Sequence, residues 1–157
     1  MVIYTDGSAH PNPGPGGYGV VVYENGEPAA AHSKACDETT NNREELKAIL
    51  YALIHYGKGN ITPTVYSDSA YAVNTLTSWM YGWQKNGWLK KDNREPENLD
   101  LIKAYYDLTL QGYSIVLQKC DGHVGIEGNE LADKLAIVSA SNATVVLLST
   151  VTIPEIT

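Results

Sequence analysis

Asn41-Asn42-Arg43-Glu44-Glu45-Leu46-Lys47-Ala48-Ile49-Leu50-Tyr51-Ala52-Leu53-Ile54-His55-Tyr56, followed shortly by Thr64-Val65-Tyr66-Ser67-Asp68, decides how the rest of the chain is arranged. Leu46, Ile49, Leu50, Leu53 and Ile54 recur at helical spacing and make one apolar stripe. Gly57 and Gly59 stop the helix. Thr64–Ser67 reads as a buried strand. Upstream, Val2–Thr5 is a β-branched and aromatic run ending at Asp6, a strand by the same criteria. A crossover helix between two strands implies parallel pairing. The strands are therefore expected side by side, with Asp6 and Asp68 together.

The flanking segments extend this frame. Tyr18–Tyr23 reads as a strand, and Asn25-Gly26 is a tight hairpin signal, so Pro28–Cys36 is expected to return antiparallel. His10–Gly17, dense in Pro and Gly, reads as a loop. Ser69–Thr77 and Leu99–Leu110 read as helices, and Gly112 closes the second. Trp79–Glu97 is a polar, Trp-rich excursion. Ser114–Lys119 alternates as a strand, and Gly128–Ser141 is helical in pattern. The order predicts an α/β fold: a mixed five-stranded sheet with helices packed on its faces.

A chain of 157 residues, 43% hydrophobic, fits one domain with a real core. Its longest apolar stretch, near Val145–Val151, is too short to span a bilayer. Met1 leads straight into a strand-like run, which leaves no room for a signal peptide. Cys36 and Cys120 are too few for a disulfide framework and read as free thiols in a reducing compartment. A net charge of −7 argues against a generic nucleic-acid binder. The charge is uneven, however: five of the 11 basic residues fall between Lys85 and Lys103, and none precedes Lys34.

Four carboxylates carry the candidate chemistry: Asp6, Glu45, Asp68 and Asp133. Asp6 and Asp68 end strands, where open sheets place ligand groups. Asp68 also suits a helix N-cap. Two carboxylates that close repel unless a cation lies between them. On the first helix Glu45 lies roughly 110° and Glu44 roughly 150° from the centre of the apolar stripe. Glu45 is thus favoured as the flank residue that reaches the sheet edge, and Glu44 is expected to point at water. Asp133 faces away from Leu131, Leu135 and Val138, sharing a face with Asn129. Converging oxygens of this kind suit Mg²⁺ or Mn²⁺ better than Zn²⁺. His123, between Gly122 and Gly125, is a candidate to shuttle a proton or to perturb the metal site.

Thr40, Asn41 and Asn42 stand at a helix start, where they can cap it or hold a phosphate. Trp79, Trp83 and Trp88 lie within ten residues, with Lys85, Lys90, Lys91 and Arg94 among or after them. Aromatics with cations suit a nucleic-acid track. At least two of these tryptophans are expected to serve as a satellite core for the excursion.

Together these segments resemble type 1 ribonuclease H. The shared motifs are Tyr-Thr-Asp-Gly-Ser, Asn-Pro-Gly-Pro-Gly-Gly-Tyr-Gly, Thr-Thr-Asn-Asn-Arg with Glu-Leu, Ser-Asp-Ser, and Gly-His-x-Gly-x-x-Gly-Asn-Glu-x-Ala-Asp. The resemblance implies a ribonuclease H-like fold with strand order 3-2-1-4-5 and helices on both faces. It implies a catalytic domain over residues 1–143, with residues 144–157 a tail of no assigned role. The implied activity is two-metal hydrolysis of the RNA strand in RNA–DNA hybrids, leaving 5′-phosphate and 3′-hydroxyl ends. Asp6, Glu45, Asp68 and Asp133 match the family's catalytic carboxylates, which settles Glu45 over Glu44, and His123 matches its loop histidine. Asn12, Thr40, Asn41 and Asn42 fall at its nucleic-acid contacts, and Tyr71 and Trp79 at an aromatic pair lining a DNA channel. Lys85, Lys90 and Lys91 belong to a protrusion that is less basic than in many relatives. A cytoplasmic monomer with no obligate protein partner is expected.

Overall fold

The computed structural model describes residues 1–121 together with Ala132. The chain opens with three antiparallel strands, β1 (Val2–Ala9), β2 (Gly14–Glu24) and β3 (Glu27–Thr39). Asn25 and Gly26 form the turn between β2 and β3 with φ of 53° and 78°, the left-handed geometry that an Asn-Gly hairpin requires. Helix α1 (Asn41–Tyr56) crosses over to β4 (Thr64–Ser67), which pairs parallel with β1. Next come α2 (Ala70–Asn74), a π-helical turn (Thr75–Trp79), α3 (Met80–Lys85), α4 (Leu99–Leu110) and β5 (Val116–Lys119). The strand order is β3-β2-β1-β4-β5, as the resemblance implies.

Several boundaries differ from the sequence expectation. β1 continues past Asp6 to Ala9, and β2 begins at Gly14, because Gly7, Ser8 and Ala9 stay paired with Tyr18, Gly17 and Gly16. The expected loop His10–Gly17 therefore donates its last four residues to a strand. A side chain at Gly16 would collide with the Ser8 carbonyl oxygen and the Thr39 methyl, so glycine there permits the pairing. The helical path after Asp68 is longer than expected. It continues to Lys85, inside the Trp-rich excursion, and fully buried Met80 anchors that extension.

The core has two sides. Ile3, Val20, Val22 and Val65 on one sheet face pack against Ala48, Tyr51 and Ala52 of α1. Leu46, Ile49 and Leu53 turn towards Leu76, Met80, Ile102 and Tyr105. Ile54, counted in the apolar stripe, is instead 45% exposed; α1 buries a wider arc on its other flank, through Ala48 and Ala52. Trp83 and Trp88 pack against the second group, as a satellite core requires, while Trp79 stays exposed. Val21, Tyr23 and Ala31 on the opposite sheet face pack with Ala132, itself helical, so helical residues lie on both faces. Neither Cys36 nor Cys120 is in a disulfide. Among the described residues no helix is long and apolar enough to cross a membrane.

Candidate active site

Asp6, Glu45 and Asp68 meet. Each offers a carboxylate oxygen, and these oxygens all lie within 4.8 Å of one another. Asp6 and Glu45 are buried and Asp68 is half-buried. Two features of the backbone bring them together. The parallel register pairs Thr5 with Ser67, so Asp6, within β1, and Asp68, just past the end of β4, stand side by side at the same level. Gly7 then lets α1 lie directly on β1: a Cβ there would strike the Glu44 carbonyl carbon and the Glu45 amide nitrogen. Side chains alternate along a strand, so Gly7, and not Asp6, takes the position pressed against the α1 backbone. Its Oδ1 accepts a hydrogen bond from the Gly7 amide at 2.9 Å.

Capping does not explain Asp68. Ser69 caps α2, its hydroxyl accepting from the Ala72 amide at 3.0 Å. β5 continues the same sheet end, where the Cys120 amide donates to the Ser67 carbonyl at 2.9 Å. Burial pushes the Cys120 thiol above its ordinary range, and the charge of Asp68 adds to the effect.

Three carboxylates this close repel strongly at neutral pH. The donor set is all oxygen and hard, partly buried, and gathered around one point. It fits a divalent cation of the Mg²⁺ or Mn²⁺ type, and among the described residues no nitrogen or sulfur ligand joins the cluster as a structural zinc site requires. Asp133 and His123, expected at the same centre, lie outside the described residues.

Glu44 departs from expectation. It does not point at water but is fully buried. Thr39 Oγ1 donates to its Oε2 at 2.7 Å, and Lys47 Nζ lies 2.8 Å from the same oxygen. Helix periodicity locates an angle but not what fills it. Here β2 and β3 cover the flank that would otherwise be solvent. The buried Tyr18 hydroxyl on β2 is pushed up to about 12, first by burial and then by the charge of Glu44.

The helix start is a built surface. Thr40 caps α1, its hydroxyl accepting from the Arg43 amide at 3.1 Å. Asn41 Oδ1 accepts from the Ala9 amide at 2.6 Å, and Asn12 Oδ1 accepts from the Asn41 amide at 3.1 Å. The β1–β2 loop and the α1 start are thus tied together, with exposed Asn42 beside them. Tyr71 is half-buried, its hydroxyl accepting from Asn98 Nδ2 at 3.1 Å. Trp79 and Lys91 line a cleft with Trp83, Asn86 and Leu89. Lys85 is exposed at the end of α3, and the Lys90 amide donates to the Arg94 carbonyl at 2.8 Å.

Sequence reasoning missed one network entirely. Arg43 grips Asp100 with both guanidinium nitrogens, at 2.9 and 2.6 Å, and reaches Asn98 at 3.5 Å. The chain of hydrogen bonds from Thr40 through Arg43 and Asn98 to Tyr71 links the start of α1 to the Tyr71 ring. Arg43 and Asp100 are 57 residues apart, and no local pattern joins them.

A mixed sheet of this order, with a carboxylate cluster formed by Asp6 within β1, Asp68 just past its parallel neighbour β4 and Glu45 of α1, is that of an α/β domain able to hold a metal ion. The sequence model of the RNase H family matches residues 1–141. The chain is similar to "Ribonuclease HI" of Haemophilus influenzae, 41% identical over 143 residues, covering 90% of each chain. Its fold is similar to that of LC9-RNase H1, described as a type 1 RNase H with the type 2 active-site motif (TM-score 0.75, 29% identity, 91% of this chain and 72% of that one). It is also similar to LC11-RNase H1 in complex with RNA/DNA hybrid (TM-score 0.67, 27% identity, 90% of this chain and 96% of that one). The chain belongs to the ribonuclease H family, a family of metal-dependent nucleases.

Proposed function

We propose that this chain is an endonuclease that hydrolyses the RNA strand of RNA–DNA hybrids, leaving 5′-phosphate and 3′-hydroxyl ends. The observation that carries the reading is the meeting of Asp6, Glu45 and Asp68 within 4.8 Å. The hybrid held by LC11-RNase H1, a protein of the same fold, supports the choice of substrate. Asp6, Glu45 and Asp68 would hold the metal together with Asp133. Two Mg²⁺ ions held there, or Mn²⁺, would supply Lewis-acid chemistry for activating water and stabilising the leaving 3′ oxygen.

The protein's own groups do the rest. The Gly7 amide fixes the Asp6 carboxylate before substrate arrives. Glu45, on the flank of α1, holds its place beside the scissile strand and is suited to read a 2′-hydroxyl in the shallow minor groove. His123 carries a proton between the site and water. Thr40, Asn41 and Asn42, braced by Asn12, hold backbone phosphates at the start of α1. Tyr71 and Trp79 present aromatic faces to the DNA strand, and Lys85, Lys90 and Lys91 neutralise its phosphates. Residues 1–143 form the catalytic domain, acting as a cytoplasmic monomer without an obligate partner, and residues 144–157 a tail.

The test is cleavage of labelled RNA–DNA, RNA–RNA and DNA–DNA duplexes of one sequence in Mg²⁺. The wild type cuts RNA in the hybrid alone, and Asp6→Asn is slower by at least about a hundredfold. Equal cutting of all three duplexes, or an unimpaired Asp6→Asn, refutes the proposal.

A further inference from the structure

Thr40 caps α1, which makes Thr39 the residue before the cap and Glu44 the fourth residue of the helix. In many helices these two positions hold apolar side chains whose contact sets the angle at which the chain enters the helix. Here the pair is polar. Thr39 and Glu44 are both buried and joined by a 2.7 Å hydrogen bond. Lys47 closes on the same oxygen, and Glu44 Oε1 has no hydrogen-bond partner among the described residues. A carboxylate in that place costs stability relative to an apolar pair, so its presence calls for a role.

The neighbouring residues supply one. The Glu44 and Glu45 backbone rests on Gly7, directly after Asp6. Thr39 ends β3 and is paired with Gly14 of β2, beside a shift of register between Gly14 and Gly16, so it is tied to the sheet. A hydrogen bond is directional where an apolar contact is not, so it defines the rotation of α1 about its axis. Glu45 is one residue further along the helix, and a small rotation moves its carboxylate out of reach of Asp6 and Asp68.

We propose that Thr39 and Glu44 are a positioning pair that fixes the rotation of α1, sets Glu45 among the metal-holding carboxylates and so raises divalent-cation affinity. The proposal rests on the reading of Asp6, Glu45 and Asp68 as a metal site. It adds two residues that touch neither metal nor substrate.

The experiment titrates Mn²⁺ into the whole chain without substrate, reading free ion by electron paramagnetic resonance, with thermal unfolding in EDTA alongside. Thr39→Val weakens Mn²⁺ binding by about tenfold, the scale for a group that orients a ligand, and Thr39→Ser restores it. In a Glu45→Gln background, Thr39→Val weakens binding no further, although it lowers the melting temperature in both backgrounds. If Thr39→Val does not fold, Glu44→Gln, which keeps an acceptor for Thr39, binds within about twofold of wild type while Glu44→Ala loses about tenfold. Unchanged affinity in Thr39→Val, or equal losses with and without Glu45, overturns the proposal, as do equal losses in Glu44→Gln and Glu44→Ala. A wild type that takes up no Mn²⁺ overturns the metal-site reading beneath it as well.

Discussion

Asp6 is held at a cost to the fold. Its carboxylate is buried beside Glu45 and Asp68, so without a cation three like charges share one small volume. Asp6→Asn should therefore stabilise the protein in EDTA by on the order of 1 kcal/mol, a common trade at functional sites, and, on the proposed reading, should lose the stabilisation that bound Mg²⁺ would give the wild type. Urea midpoints with and without Mg²⁺ read both effects. Asp100 works the other way. Its hydrogen bonds from Arg43 hold its carboxyl below the ordinary range, against the opposing effect of burial. A carboxyl lowered by folding stabilises the protein above its unfolded pKa, and that contribution fades as pH falls through the folded value. Asp100→Asn is expected to cost up to about 1 kcal/mol at pH 7, discounted because Asp100 is largely solvated. The gap from wild type closes as pH falls below about 4, as read by urea midpoints across that range.

At the scale of elements, the packing of α1 on β1 governs the site. Gly7→Ala forces a methyl group into the backbone at Glu44 and Glu45. Overpacking of this kind costs about 1–3 kcal/mol. Because the displaced turn carries Glu45, hybrid cleavage should fall more than stability alone explains, which activity measured well below the melting temperature would reveal. Thr40→Ala removes a cap and is expected to cost about 1 kcal/mol. The cap was legible in the sequence because capping is local: a Thr followed by a helical pattern suffices. The burial of Glu44 was not: its partners Thr39 and Lys47 are near in sequence, but the covering strand β2, with Tyr18, reaches that flank only through the sheet. The same reason hid the Arg43–Asp100 grip and the exposure of Ile54.

Across the whole molecule, charge is the limiting term for binding a polyanion. The net charge of −7 repels a hybrid at long range, while Lys85, Lys90 and Lys91 offer a local attractive patch. Replacing all three lysines with glutamine should raise KM with little change in kcat and flatten the dependence of log affinity on log salt by up to about 3. Affinity measured across a salt series checks this. An unchanged slope would place the phosphate contacts elsewhere.

What the amino-acid order determined by itself was the frame: the Asn25-Gly26 hairpin, the crossover through α1, the parallel neighbours β1 and β4, and hence the pairing of Asp6 with Asp68. Each follows from local dihedral preference or from the period of apolar residues, which need no knowledge of distant contacts. The tertiary structure alone decided how close Glu45 comes to that pair and that Glu44 is buried instead of facing water. Those outcomes depend on which remote segment covers each face and on the room left at Gly7, and no reading along the chain contains that information.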